Sequence, residues 1–282
     1  MQTLNVAIQS PQGGEIILGD RKKLTIFCGP CVIESKDHAF KMAAAIKEIA
    51  ERVGLNLVYK SSYDKANRTS ASSFRGLGIE QGLEILNQVK QQFNLPVVTD
   101  VHTESDVLLA KEVVSVLQIP AFLCRQTSLL EEAGNTKLPV LIKKGQFVAP
   151  QDMKFAAEKI QKTGNTKVLL CERGSCFGYR DLVVDFRSLL LMRELGYPVV
   201  FDATHSVQVM GGADGKSSGN SNFVPHLARA AIAVGVDAIF LECHDNPSIA
   251  PSDGPNMIEL SKLEQLLIDL KNLFELQLNT RN

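Results

Sequence analysis

The sequence predicts an α/β fold built on a parallel sheet, and three observations predict it. Short apolar runs rich in Val, Ile and Leu recur eight times. Helix-period segments separate most of them. The runs are apolar almost throughout instead of alternating, as strands covered on both faces are. Eight such units in 282 residues fit the roughly 250-residue dimensions of a closed barrel, so the expected fold is a (β/α)8 TIM barrel with an N-terminal β-hairpin cap. Periodicity does not itself establish closure, and a doubly wound open sheet is the competing arrangement.

The elements follow in order. Residues 4–8 and 15–18 flank a Gln12-Gly13-Gly14 turn and read as a hairpin, giving a cap over 1–20 and a barrel over 21–282. Apolar β-branched runs at 24–28, 55–59, 96–99, 115–119, 140–142, 167–171, 198–201 and 238–241 are the barrel strands. Helical periodicity places helices at 38–53, 79–93, 105–113, 151–162, 186–195, 224–234 and 258–276, with 128–132 the weakest helical segment. The stretch 209–222 reads as a long mobile loop over one face. No second composition regime interrupts this rhythm, so one domain accounts for the chain.

Composition narrows the function. Thirty Lys and Arg against 31 Asp and Glu leave a formal charge of −1, so no overall field favours nucleic acid or a membrane surface, and anion-binding charge must be local. The first residues lack a basic segment followed by an apolar one, and the apolar stretch 230–241 is too short to span a bilayer and is broken by Asp237. A soluble cytoplasmic protein is expected. Six irregularly spaced cysteines do not form a disulfide framework. Cys28, Cys124, Cys171 and Cys243 lie in or beside apolar runs, whereas Cys31 and Cys176 fall in loops.

In a barrel, chemistry collects at the C-terminal ends of the strands. At or just past those ends stand Cys31, Lys60, Asp100, Gln118, Lys143, Arg173, His205 and Glu242. The segment LVYKSSYDKANRTSASSF at 57–74 adds Lys65 and Arg68 with few acids nearby. Two like charges ~4 Å apart cost about 4 kcal/mol at an effective dielectric near 20, so converging cations call for an anion; a solvated surface loop is the other reading. Lys60, Lys65, Arg68, Lys143 and Arg173 suit phosphate or carboxylate. Cys31, His205, Glu242 and Asp253 form a donor set suited to a borderline divalent ion such as zinc, iron, manganese or cobalt. Taken singly, a residue such as His205 is more often a surface or hydrogen-bonded histidine than a ligand, and Glu242 also reads as a rim acid.

Two motifs point elsewhere. Cys28-Gly29-Pro30-Cys31 has the thioredoxin form, but it ends an apolar strand within a βα array too large for that domain. Met210 to Ser217 ends like a phosphate-binding loop, yet Met210 stands where that motif requires glycine.

The motifs together resemble the 3-deoxy-D-manno-octulosonate-8-phosphate synthase family. They are GPCVIES at 29–35, YKSSYDKANRTS at 59–70, TDVH at 99–102, LQIPAFLCRQT at 117–127, IKKGQF at 142–147, CERG at 171–174, FDATHSVQ at 201–208, LECH at 241–244 and SDGPN at 252–256. The resemblance implies condensation of phosphoenolpyruvate with arabinose 5-phosphate, and a homotetramer. It implies that Lys60, Lys65, Lys143 and Arg173 hold phosphoenolpyruvate beside Gln118 and Ala121, that Asn67, Arg68, Thr69 and Ser70 take the sugar phosphate, and that Asp100 takes a sugar hydroxyl. Lys60, Lys65, His205 and Asp253 are the implied catalytic groups, and Cys31, His205, Glu242 and Asp253 the implied metal ligands. One branch of that family carries asparagine in place of Cys31 and works without metal, so Cys31 implies the metal-requiring branch. Thr69 departs from the serine usual in that motif, adding a methyl group near the phosphate. The related heptulosonate-phosphate synthases, which use a four-carbon sugar, tend to read Lys-Pro-Arg where this chain reads Lys65-Ala66-Asn67-Arg68.

Overall fold

The computed structural model describes residues 3–66, 74–178, 181–209 and 218–279. The chain opens with an antiparallel hairpin of β1 (Val6–Gln9) and β2 (Glu15–Leu18). Then β3 (Thr25–Gly29), α1 (Lys36–Val53), β4 (Asn56–Lys60), α2 (Ile79–Phe93), β5 (Val97–Asp100), α3 (Glu104–Ala110), β6 (Val116–Ile119), α4 (Thr127–Asn135), β7 (Val140–Lys143), α5 (Met153–Gln161) and β8 (Val168–Glu172) alternate. A two-residue ladder of β9 (Ser175–Cys176) with β10 (Leu182–Val183) precedes α6 (Arg187–Glu194) and β11 (Val199–Asp202). A second ladder joins β12 (Gln208–Val209) to β13 (Ser218–Gly219) before α7 (Val224–Val234), β14 (Ala238–His244), β15 (Ile258–Glu259) and α8 (Leu260–Asn279).

Strands β3 to β8 pair in sequence, β8 pairs with β11, β11 with β14, and β14 returns to β3. Every one of these pairings is parallel, so the sheet closes into an eight-stranded barrel and the open-sheet alternative is ruled out. Two apolar layers hold it. Leu24, Ile26, Leu57, Val97, Leu117, Ile142, Leu170 and Ile239 face outward onto the helices. Phe27, Val58, Val98, Val116, Leu141, Leu169, Val200 and Phe240 form the inner layer together with Val6, Ile8, Ile16 and Leu18 of the hairpin. The hairpin therefore closes the N-terminal end of the barrel, each buried aliphatic contributing about 1.5–3 kcal/mol. Function is left to the other end.

Local signals fix the connections. Ser35 caps α1 by accepting the His38 amide hydrogen at 3.1 Å, and Gly54 ends it in the left-handed region at φ 83. Thr103 and Asp106 form a capping box at the start of α3. The expected strands tend to stop one residue early, at the last apolar side chain, because β3, β4, β5, β7, β8 and β11 each continue one residue further, and β14 continues through His244. The weak segment at 128–132 is a nine-residue helix, α4. The segment 258–276 begins as β15, paired with Cys243 and His244, and becomes helical at Leu260. In the stretch 209–222, Val209 and Ser218–Gly219 are ladder residues, and the rest of that reading lies mainly outside the described residues. Among the described residues no helix is long and apolar enough to cross a membrane.

Candidate active site

The inner layer of the barrel produces the site by simple alternation. Side chains two apart on a strand share a face, so the inward positions after Phe27, Val58, Val98, Val116, Leu141, Cys171, Val200 and Phe240 are Gly29, Lys60, Asp100, Gln118, Lys143, Arg173, Asp202 and Glu242. Seven polar side chains thus crown an apolar barrel. Phe240 is the floor, with Lys143 Nζ 3.3 Å and Lys60 Nζ 5.6 Å from its ring centroid.

The metal-type donors meet on one side of this mouth. Donor atoms of Cys31, Glu242 and Asp253 lie within 4.8 Å of one another. His205 Nε2 is 3.6 Å from Glu242 Oε1 and 3.9 Å from Asp253 Oδ2, while Cys31 Sγ is 3.3 Å from Asp253 Oδ2 and 2.9 Å from Ser252 Oγ. The loop after β3 delivers Cys31, because Val32 bridges Ser62 and the Ile33 amide donates to Ser62 O at 2.9 Å. His205 Nδ1 bonds to Asp202 Oδ2 at 2.7 Å, which leaves Nε2 turned to the donors in the arrangement metal-binding histidines use. Asp253 is held at φ 51, a left-handed backbone uncommon outside glycine.

These residues fit a divalent ion. Glu242 is fully buried, and among the described residues its Oε2 has no hydrogen-bond partner, a cost that a cation would remove. Burial alone would raise the Glu242 pKa, but Lys60, His205 and Lys65 outweigh it and hold the carboxyl well below the usual range. Burial, aided by Glu242, pushes the Cys31 thiol well up; a bound cation reverses that preference. A second donor group, Glu34, His38 and His244, is already engaged in hydrogen bonds, His244 with Glu34 at 2.8 Å and His38 with Asp245 at 3.1 Å.

The cations occupy the rest of the mouth. Lys60 Nζ donates to Glu242 Oε1 at 2.8 Å and to Cys31 O at 3.1 Å. Lys65 Nζ stands 3.8 Å from Glu242 Oε1; burial opposes its charge, but Cys31, Glu242, Asp100 and Asp253 hold its pKa well above the ordinary lysine value. Lys143 is paired with Asp202. Arg173 Nη2 donates to Gln208 Oε1 at 2.9 Å, and its Nη1 is buried without a partner among the described residues. Gln118 Oε1 is likewise buried and unpartnered. Across the mouth, Asp100 accepts from Ser62 and meets His102 Nε2 at 3.2 Å. Burial works against the Asp100 charge, yet His102, Lys65 and Lys60 hold it well below the ordinary carboxylate range.

The structure therefore gathers Cys31, Lys60, Lys65, Asp100, Gln118, Lys143, Arg173, His205, Glu242 and Asp253 at one barrel end, with Ala121 in the turn after β6. Asn67, Arg68, Thr69 and Ser70 lie outside the described residues, as do Met210 to Ser217. Cys31 sits in a loop but is buried, and all six cysteines are free thiols. Sequence reading passed over Asp202, Gln208 and the buried pair of Lys144 with Glu172. Lys144 Nζ is 3.5 Å from Glu172 Oε1, which also accepts the amide hydrogens of Arg173 and Gly174 at 3.0 and 2.6 Å and so shapes the turn that presents Arg173. Counting two residues on from Val200 would have found Asp202.

Fold and site together define a barrel enzyme whose mouth combines a cluster of cationic side chains with a metal-type donor set. A sequence profile described as the DAHP synthetase I family matches residues 4–279, and the chain belongs to that family. Among its relatives, a Synechococcus protein named 2-dehydro-3-deoxyphosphooctonate aldolase is 58% identical over 260 residues, covering 92% of each chain. Proteins of the same name from Bartonella bacilliformis and Caulobacter vibrioides are 53% and 51% identical, covering 95% and 94% of this chain and 95% and 92% of their own. The family resemblance carried by the motifs is borne out.

Proposed function

We propose that the protein condenses phosphoenolpyruvate with D-arabinose 5-phosphate and water, giving 3-deoxy-D-manno-octulosonate 8-phosphate and inorganic phosphate, in lipopolysaccharide biosynthesis. The octulosonate name of its relatives supports this reading. The observation that carries it is the meeting of both chemical sets on the Lys60–Glu242 pair, at 2.8 Å. Two anionic reactants need cations, and an aldehyde acceptor needs an electrophilic partner.

In this reading Lys60, Lys65, Lys143 and Arg173 bind the phosphate and carboxylate of phosphoenolpyruvate, with Gln118 and Ala121 lining the pocket. Arg173 offers its Nη1, which has no partner among the described residues. Asp100, fixed by Ser62 and His102, orients a sugar hydroxyl, and Asn67, Arg68, Thr69 and Ser70 take the sugar phosphate. Carbon three of the enol forms a bond to the aldehyde carbon, water adds at carbon two, and phosphate leaves with its bridging oxygen as the carbon–oxygen bond breaks. Cys31, His205, Glu242 and Asp253 hold a divalent cation of the zinc, iron, manganese or cobalt type, which when bound supplies Lewis-acid polarisation of the aldehyde. Asp202 keeps His205 Nε2 available by accepting the hydrogen bond from Nδ1–H.

A cytoplasmic homo-oligomer, a tetramer by family resemblance, completes the proposal. Phe122, Phe147 and Phe177 support it, being exposed aromatics on the segments that follow β6, β7 and β8. Competition between arabinose 5-phosphate and erythrose 4-phosphate for phosphoenolpyruvate tests the reaction. Preference for the five-carbon sugar is expected; preference for erythrose 4-phosphate would reassign the protein to heptulosonate synthesis. Binding without release of phosphate would make it a sugar-phosphate binding barrel.

A further inference from the structure

We infer that Gln208 is a positioning residue that couples Arg173 to Asp253, so that an anion held at one end of the mouth strengthens metal binding at the other. The inference rests on the roles proposed above for those two residues. Gln208 Oε1 accepts from Arg173 Nη2 at 2.9 Å, and Gln208 Nε2 donates to Asp253 Oδ1 at 3.4 Å. Guanidinium has only donors and carboxylate only acceptors, so the amide fits between them in one orientation. A flip would set its NH2 against the guanidinium and its oxygen against the carboxylate.

Each partner has a second end in the site. Arg173 Nη1 is buried and has no hydrogen-bond partner among the described residues. Asp253 Oδ2 faces Cys31 Sγ at 3.3 Å and His205 Nε2 at 3.9 Å. An anion on Nη1 fixes the guanidinium plane, the guanidinium fixes the amide, and the amide fixes the rotation of the carboxylate that meets the other metal donors. The backbone makes this linkage stiff. Gln208 lies three residues after His205, in the ladder with Ser218 and Gly219. A Cβ on Gly219 would sit 1.5 Å from Asn256 Oδ1 and 2.6 Å from Val207 O, so this ladder is seated directly against the loop that carries Asp253.

Coupling of this kind is reciprocal: the factor by which one ligand alters the other is the same in both directions. The test titrates metal-free protein with cobalt(II), following the thiolate-to-cobalt absorption of Cys31, with and without saturating phosphoenolpyruvate and with no aldose. Phosphoenolpyruvate is expected to lower the cobalt dissociation constant of the unsubstituted protein. In Gln208→Leu, of similar volume but without polar atoms, that factor should fall about 3- to 10-fold, the value of one ordinary hydrogen bond. Direct attraction between phosphoenolpyruvate and cobalt is common to both proteins, so the difference reports the relay. Gln208→Glu keeps its bond to Arg173 but loses the donor to Asp253, so its coupling factor should fall as in the leucine variant. Folded Gln208→Leu with the full coupling factor overturns the inference alone. Absence of the thiolate–cobalt band, or of phosphoenolpyruvate binding, in the unsubstituted protein overturns the underlying reading as well. Should the leucine variant not fold, Gln208→Asn, whose shorter amide reaches one partner at a time, gives the same comparison.

Discussion

At the scale of single residues, the site separates groups that supply ligand atoms from groups that aim them. Cys31→Ala removes the one sulfur donor of the set; we expect loss of bound divalent metal by elemental analysis, with the fold intact by circular dichroism. Asp202→Asn keeps the shape but lets Nδ1 of His205 lose its carboxylate acceptor. Substitutions of such supporting carboxylates cost about 10- to 100-fold in metal affinity, and cobalt titration of the variant should read a loss in that range. The contrast also explains what sequence could reveal. Cys31 and Glu242 are legible as ligand types at or just past strand ends and Asp253 as one in the loop beyond β14, whereas Asp202 hides behind His205 three positions later, and Gln208 carries no charge to draw notice. Residues that act through others are found by geometry, not by type.

At the scale of elements, the decisive feature is that the barrel strands run past their apolar stretches. An apolar run marks where a strand is dry on both faces, so sequence placed most strand ends at the last hydrophobic residue. Lys60, Asp100, Lys143, Asp202 and Glu242 are nonetheless strand residues, kept rigid by ladder hydrogen bonds as a precise site requires. The weak helical segment at 128–132 was hard to read because Gly134 and Asn135 dilute the pattern; Gly134 is there because a Cβ would lie 2.5 Å from Thr163 Oγ1. Gly29 has a similar role in β3. A Cβ at Gly29 would sit 1.9 Å from the Lys60 carbonyl oxygen, a backbone atom that cannot swing aside. Gly29→Ala should therefore lower stability by about 1–3 kcal/mol or more, measured by urea unfolding, and should raise KM for phosphoenolpyruvate by moving Lys60.

At the scale of the whole molecule, the barrel has one closed end and one chemical end. Ile8 of the hairpin is fully buried in the same cluster as Phe27 and Val98. Ile8→Ala is expected to cost about 2–5 kcal/mol in chemical unfolding although it stands at the opposite end from the site. The chemical end sets the acid limit. Burial would raise the pKa of Asp100 and Asp202, but His102, Lys65 and Lys60 around the first, and His205 and Lys143 around the second, hold both well below the ordinary value. A carboxyl depressed on folding stabilises the protein fully above its unfolded pKa of about 3.9 and loses that contribution as pH falls toward the folded value. Unfolding free energy should thus drop with decreasing pH from about 4 downward. Asp100→Asn, less stable near neutrality, should show a shallower drop; an equal slope would contradict this assignment.

The central claim is that one barrel mouth joins an oxoanion-binding cation set to a metal held by Cys31, His205, Glu242 and Asp253. Its most direct test is aldose-dependent phosphate release from phosphoenolpyruvate by chelator-treated protein, assayed before and after a divalent metal is returned. The account predicts no release with arabinose 5-phosphate in the stripped protein and recovery once metal is added. Full turnover by protein shown to be free of metal would contradict it.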